Sequence, residues 1–264
     1  MGWPAGADLD PGRTILRRSD VFRSGTTLIG YVGLPIVLLV VSAAVYFWAS
    51  SQDLDSIERR SLDLDFIVNA FYRHLTLSFV STFFVILIAV PLGVLLTRPG
   101  ARALVPPILT LANIGQAVPS IGLLVLLALV WTIGFWPAIV ALVAYSSLPV
   151  LRNTMAGLQQ VDQSTIEAGR GMGMTKGAVL LRIELPLAVP IILAGVRTAL
   201  VINVGTATLA TFVNAGGLGD IINAGLTNGR ETVTLVGSVL AASLALFIDH
   251  LGGMAEGRLS PKGL

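Results

Sequence analysis

The 264-residue sequence contains no cysteine and only two histidines, His74 and His250. Disulfides and thiolate metal sites are therefore excluded, and two histidines at opposite ends of the chain do not suggest a shared ligand set. Charge is also scarce. Asp, Glu, Lys and Arg make up 12% of the residues, against about 25% in an ordinary soluble domain. Hydrophobic residues make up 54%. A core of this size could not hide so much apolar surface, so lipid is the expected solvent for much of the chain. Asp and Glu are missing altogether between Asp65 and Asp162, and again from Leu185 to Gly219. Proton relays place carboxylates or histidines among membrane helices. An ion-coupled secondary transporter thus has thin material: His74 near the start of the second apolar run, Asp249 and His250 near the end of the last. No Gly-x-x-x-x-Gly-Lys-Ser/Thr loop occurs, and Gly171-Met172-Gly173 follows no strand, so the chain is not expected to bind ATP itself. A membrane enzyme would need a nucleophile, metal or paired-acid site, and none stands out. The pI of 9.3 accompanies a net charge of only +2 with dispersed basic residues, which argues against nucleic acid as a partner.

What is present is a series of charge-free runs. A helix needs roughly 20 apolar residues to cross the hydrocarbon of a bilayer. Six spans are expected, at 28–49, 75–96, 104–130, 137–151, 188–213 and 232–251. The run from 103 to 151 is too long for one crossing, and Trp131 to Pro137 reads as an interfacial turn that divides it, with Trp131 and Trp136 as belt residues. Four arginines precede the first span, as in a signal peptide. Its apolar run is longer than the roughly 7–15 residues of a signal h-region and lacks a small-residue cleavage site, so a retained anchor helix is expected.

The basic residues orient these spans. With the N-terminus in the cytoplasm, the inside segments hold Arg13, Arg17, Arg18, Arg23, Arg98, Arg102, Arg152, Arg170, Lys176, Arg182, Arg258 and Lys262. The outside segments hold only Arg59, Arg60, Arg73 and Arg230. This satisfies the positive-inside rule and puts the C-terminus in the cytoplasm as well.

One inside segment, 152–187, is too long and too polar for a simple turn. Ser164 and Glu167 have the spacing of a capping box, so a short helix is expected to begin there. It should lose definition at Gly171 and Gly173, where glycine permits a tight reversal. Thr175 is placed to cap a second short helix running through Arg182 and limited by Pro186. Two short helices joined at a glycine corner make a shape suited to docking. In the plainer reading Glu167 is only a cap and the loop lies on the membrane surface.

Glu167-Ala168-Gly169, then Gly173, then Ile183-Glu184-Leu185-Pro186 reproduces a spacing that resembles the cytoplasmic signature of binding-protein-dependent ABC importer permeases. The one departure is Gly169, where a second alanine is usual; glycine loosens a helix by roughly 1 kcal/mol. The resemblance covers about residues 70–252. It implies an all-α integral membrane protein with a type I importer core of five helices, to which residues 28–49 add an N-terminal anchor. Residues 1–27 would be a cytoplasmic N-terminal segment, 50–69 an extracytoplasmic linker and 253–264 a cytoplasmic tail. It further implies that Glu167, Ala168, Gly169, Gly173, Met174, Thr175, Ile183, Leu185 and Pro186 couple the chain to a separate ATPase, which would bind ATP and Mg. The implied assembly has two permease copies, expected as a homodimer, two ATPases and an extracytoplasmic solute-binding protein, in a bacterial inner membrane.

Leu193 to Ala199 and Val204 to Ala210 are similar to permeases for osmoprotectants such as glycine betaine, carnitine and choline, whereas Gly216-Gly217-Leu218-Gly219-Asp220 also resembles methionine-type permeases. Arg197 is the one basic residue inside an expected span. It is either a functional group or a side chain that snorkels back to the membrane surface. Asn203, Thr206 and Thr208 either line the path or form interhelical hydrogen bonds. Residues 216–230 should lie outside, either as a flap that receives a binding protein or as an ordinary glycine-rich turn. No aromatic cage for a quaternary ammonium is evident, which assigns recognition to the separate binding protein. Uptake should therefore survive collapse of the proton gradient while ATP is preserved; immediate loss under those conditions would instead favour ion coupling.

Overall fold

The computed structural model describes residues 28–259, all of whose regular elements are helical. The arginines at positions 13, 17, 18 and 23, Lys262, and most of the expected terminal segments lie outside the described residues. Five helices are long and apolar enough to cross a membrane, and a bent pair makes a sixth crossing if counted as one span.

Helix α1 (Leu28–Ser50) is the anchor expected at 28–49. It packs along the last helix, α11 (Glu231–Leu259), where Ser42 Oγ donates to Ser243 Oγ at 3.0 Å and the His250 Nε2–H donates to the Tyr31 carbonyl at 2.9 Å. Arg258 lies 5.9 Å from the centre of the Tyr31 ring, a cation–π contact. Residues 50–69, expected as a linker, carry helix α2 (Ser56–Ser61) and the first part of α3 (Leu64–Leu96). Asp55 forms a complete capping box with Glu58 at the start of α2. Asp63 caps α3, so this helix begins eleven residues before the expected span at 75.

The expected single span at 104–130 is two helices. A 3₁₀ turn (Pro99–Leu104) leads into α4 (Val105–Ala117), which meets α5 (Ser120–Val130) at a bend of 98°. Pro119 causes the break. Its ring excludes the helical conformation at the preceding residue, and Val118 is extended, with φ −70° and ψ 131°. Helix α6 (Phe135–Gln159) then continues eight residues past the expected end at 151.

Helices α3, α6 and α9 (Leu185–Thr206) form the centre of the bundle. Apolar burial drives little association between helices already in lipid, so close packing and interhelical hydrogen bonds must hold them. Gly195 shows how close that packing is: a Cβ there would sit 2.7 Å from Asn153 Cβ and 3.0 Å from the Pro149 carbonyl. Asn203 of α9, fully buried, donates from Nδ2 to Thr82 Oγ1 of α3 at 2.9 Å. A 3₁₀ segment (Ala207–Val213) and α10 (Gly219–Asn228) return the chain to α11.

At this end of the bundle Arg230 Nη2 lies 2.6 Å from Asp55 Oδ2, tying the α10–α11 turn to the start of α2. The Glu58 backbone N–H holds the Asp55 carboxyl below its ordinary range; partial desolvation opposes this, and Arg230 adds to the lowering. A depressed folded pKa means that the stabilisation is present above the unfolded value of about 3.9 and fades as pH falls through the lower folded value. Asp55→Asn should therefore lower the melting temperature near neutral pH, and the difference from the parent should shrink as pH drops below about 4.

Candidate functional site

Helix α7 (Gln163–Gly171) and the short α8 (Lys176–Val179) form an elbow between α6 and α9. The expected capping box at Ser164 is absent. Asp162, two residues earlier, is the N-cap and accepts the Ser164 N–H at 2.8 Å. Its carboxylate competes for the same orphan donors more strongly than a hydroxyl does. Glu167 is thereby left exposed and accepts from Gln163 Nε2, one turn back at 3.1 Å.

The C-terminus of α7 closes as the glycines suggest. Gly173 adopts φ +83°, its N–H bonds to the Arg170 carbonyl, and the Met174 N–H bonds to the Gly169 carbonyl. This is a Schellman motif with glycine in its left-handed position. Thr175 Oγ1 then accepts the Ala178 N–H at 3.2 Å and opens α8.

The second helix does not stop at Pro186. A π turn (Leu180–Glu184) joins α8 directly to α9, with the Leu185 N–H reaching the Leu180 carbonyl five residues back. Proline has no N–H to give and its ring crowds the carbonyl of residue i−4. The widened turn relieves that crowding, so the helix passes through instead of ending. Helical structure therefore continues from the elbow into the long apolar span.

The elbow has a packed inside and a bare outside. Ile166, Gly169 and Val179 are buried. A Cβ on Gly169 would approach Ile183 Cδ1 to 2.5 Å, Met174 Sδ to 3.5 Å and Val179 Cγ2 to 3.6 Å. The departure from alanine at 169 is thus matched by an isoleucine end that fills the space. Glu167, Ala168, Gly171, Gly173, Lys176 and Gly177 face outward with Met172, which is 77% exposed. Small side chains and one flexible apolar group allow close approach by another backbone.

Glu184 and Arg98 anchor the elbow. Glu184 is buried, and Arg98, just after α3, bonds both of its carboxylate oxygens, at 2.6 and 3.3 Å. On sequence alone Arg98 reads only as an inside charge. The available signal was Glu184 itself, an acid set among Ile183, Leu185 and Pro186 with no local basic partner facing it. Where α6 ends and α9 begins, Leu158, Ala188 and Ile192 form a small buried cluster.

The remaining predicted residues fall in separate places. Arg197 neither stands alone nor snorkels free: it binds Asp249 through Nε and Nη2 at 2.7 and 2.9 Å, and Glu256 through Nη1 at 3.3 Å. The Thr206 hydroxyl donates to the Ile202 carbonyl, and Thr208 to the Gly205 carbonyl at 2.7 Å, so both turn back on their own chain. Gly216 and Gly217 adopt φ +86° and +111°, Leu218 is fully buried, and Asp220 lies in the first turn of α10. Gly219 packs against the Thr208 carbonyl.

His74 holds this turn in place. Its Nε2–H donates to the Val204 carbonyl at 2.8 Å, and its Nδ1 accepts the Leu218 N–H at 3.3 Å. Both ring nitrogens of this buried, neutral imidazole are therefore occupied in joining α3, α9 and the glycine turn. Among the described residues no three His, Asp or Glu side chains converge as a metal site requires.

The family described as "Binding-protein-dependent transport system inner membrane component" matches residues 89–261. The osmoprotectant import permease protein OsmY of Salmonella typhimurium is 39% identical, over 89% of this chain and 97% of that protein. The choline transport system permease protein OpuBB of Bacillus subtilis is 42% identical, over 73% of this chain and 88% of its own. The carnitine transport permease protein OpuCD of Listeria monocytogenes is 41% identical, over 74% and 87%. Among solved structures, an inward-facing form of the MetNI methionine ABC transporter superposes with a TM-score of 0.65. It is 30% identical and covers 74% of this chain and 96% of the other.

Arg98→Ala would strand the buried Glu184 carboxylate. Because Arg98 is itself about one-third exposed, the expected cost is about 1–3 kcal/mol. It should be read as a lower melting temperature of the purified protein, and Arg98→Ala with Glu184→Leu together should recover most of the loss.

Proposed function

The chain belongs to the family of binding-protein-dependent transport system inner membrane components, and from that premise we infer how its elbow and helices work. It is the membrane-spanning permease subunit of an ABC importer with the type I fold, a multi-pass inner membrane protein. Its transported solute is a small osmoprotectant of the glycine betaine, choline or carnitine class. Relatives carrying those names support this choice at 39–42% identity. The methionine transporter shares the fold at 30% identity, so methionine is the weaker reading of the solute.

The observation that carries the mechanism is the helical connection from the elbow into α9. A partner that moves the elbow moves a membrane helix without an intervening hinge. We assign that partner as an ATP-hydrolysing subunit, which holds the ATP and Mg, with Glu167 and Ala168 at the contact, Gly169 packed behind them on the inner side of the elbow, and Gly173 at its apex. Met174, Thr175 and Ile183 shape the elbow, while Leu185 and Pro186 carry it into the span. Two permease copies, two ATPases and an extracytoplasmic solute-binding protein form the assembly. Both termini of the permease face the cytoplasm. The turn from Gly216 to Asp220, rigidified by His74, supplies the surface that meets the binding protein on the opposite side.

The test uses the permease co-expressed with its ATPase and reconstituted with the binding protein. Gly173→Glu places a bulky charge at a left-handed position and should abolish co-purification of the ATPase and solute uptake together. Undiminished complex and uptake would refute the coupling assignment. Proteoliposomes of the parent should import betaine, choline or carnitine; import of methionine alone would overturn the solute class.

A further inference from the structure

Arg197 lies on a track. Asp249, Gly252, Gly253 and Glu256 fall at i, i+3, i+4 and i+7, one face of α11. The arginine crosses the two glycines so closely that a Cβ on Gly252 would sit 2.9 Å from its Cγ, and one on Gly253 3.0 Å from its Nη1. Between the acids, about 10 Å apart along the helix axis, no side chain obstructs this face. Clefts of about 410 and 460 Å³ adjoin the arginine, so the guanidinium is not wedged in place. It is seated on Asp249 by two short bonds and reaches Glu256 by a single longer one.

The arginine also has mechanical leverage. It belongs to α9, which the π turn joins to the elbow. An axial displacement imposed at Lys176 is delivered to Arg197, about 30 Å along the helix.

We propose that Asp249 and Glu256 are alternative seats for Arg197, which passes its paired bonds from one to the other as α9 slides along α11 during transport. The proposal rests on the elbow being the point where the ATPase acts. The second acid lies two turns from the first and is reached across a bare backbone, so it gives a moving guanidinium a second place to bind. A guanidinium presents donors on several edges. It therefore takes up bonds to Glu256 before releasing Asp249. The charge is never left unpaired next to lipid, where desolvation would oppose the step. One-turn shifts of an element past its neighbour are an established kind of switching transition. Arg197, Asp249 and Glu256 thus act as positioning residues for the transport cycle, separate from any contact with solute.

The test compares Asp249→Asn and Glu256→Gln in the complete transporter, reading ATP hydrolysis without binding protein and ATP consumed per solute imported. Each variant removes one seat, so the two should shift basal hydrolysis in opposite directions, each by several-fold. Gly253→Ala, which keeps every charge but obstructs the track, should slow uptake several-fold while the ATPase still co-purifies. Shifts in the same direction, accompanied only by lower melting temperatures, would mark a static clamp and overturn the proposal. So would unchanged uptake in Gly253→Ala. Failure of the parent chain to bind an ATPase would be read separately, in the co-purification, and would remove the coupling assignment together with the seats that depend on it.

Discussion

A helix that runs from water into lipid has to pass the boundary without losing its backbone hydrogen bonds, and here a proline stands near that boundary. The π turn from Leu180 to Glu184 resolves the conflict. It widens the helix for one turn, so that the ring of Pro186 does not collide with the turn behind it. Because the turn is widened and not broken, α8 and α9 form one continuous helical segment. The Arg98–Glu184 pair fixes that segment to the end of α3.

The other polar contacts divide according to their distance from this segment. His74 and the Arg230–Asp55 pair brace the end of the bundle that carries the glycine turn, where the chain reverses between α9 and α11. At the opposite end, His250 and Arg258 fasten the added helix α1 to α11. Lipid offers no hydrophobic drive between these helices, so a few oriented hydrogen bonds and close glycine contacts set the arrangement. The ions of the Arg197 group are each roughly a third to two-fifths exposed, as are Arg230 and Asp55.

Much of this was legible in the sequence. Charge-free runs marked the five long apolar helices and the bent pair, though not the break within it, since the cost of charge in hydrocarbon leaves a plain record. The glycine corner and the Thr175 cap followed from local stereochemistry. Helix ends were less legible where polar residues continue a helix beyond the lipid: His74 to Asp63 on α3, and Arg152 to Gln159 on α6. Asp162 outcompeted Ser164 for the cap because a carboxylate is the stronger acceptor. The Arg98–Glu184 and Arg197–Asp249 pairs join residues far apart in the chain, so no periodicity reports them. The Asp249-x-x-Gly-Gly-x-x-Glu256 pattern could have been recognised as one helical face, but only after a partner for it was sought.

The bend between α4 and α5 carries a consequence for the membrane itself. Pro119 lends no side-chain cap, so the first amides of α5, at Ser120, Ile121 and Gly122, point forward without helical acceptors. Hydrocarbon cannot solvate such groups. Acyl chains must therefore stop short of this knee, and a small wet notch or a neighbouring protein backbone has to meet it inside the bilayer. The bent pair is in that sense only partly a lipid-facing wall.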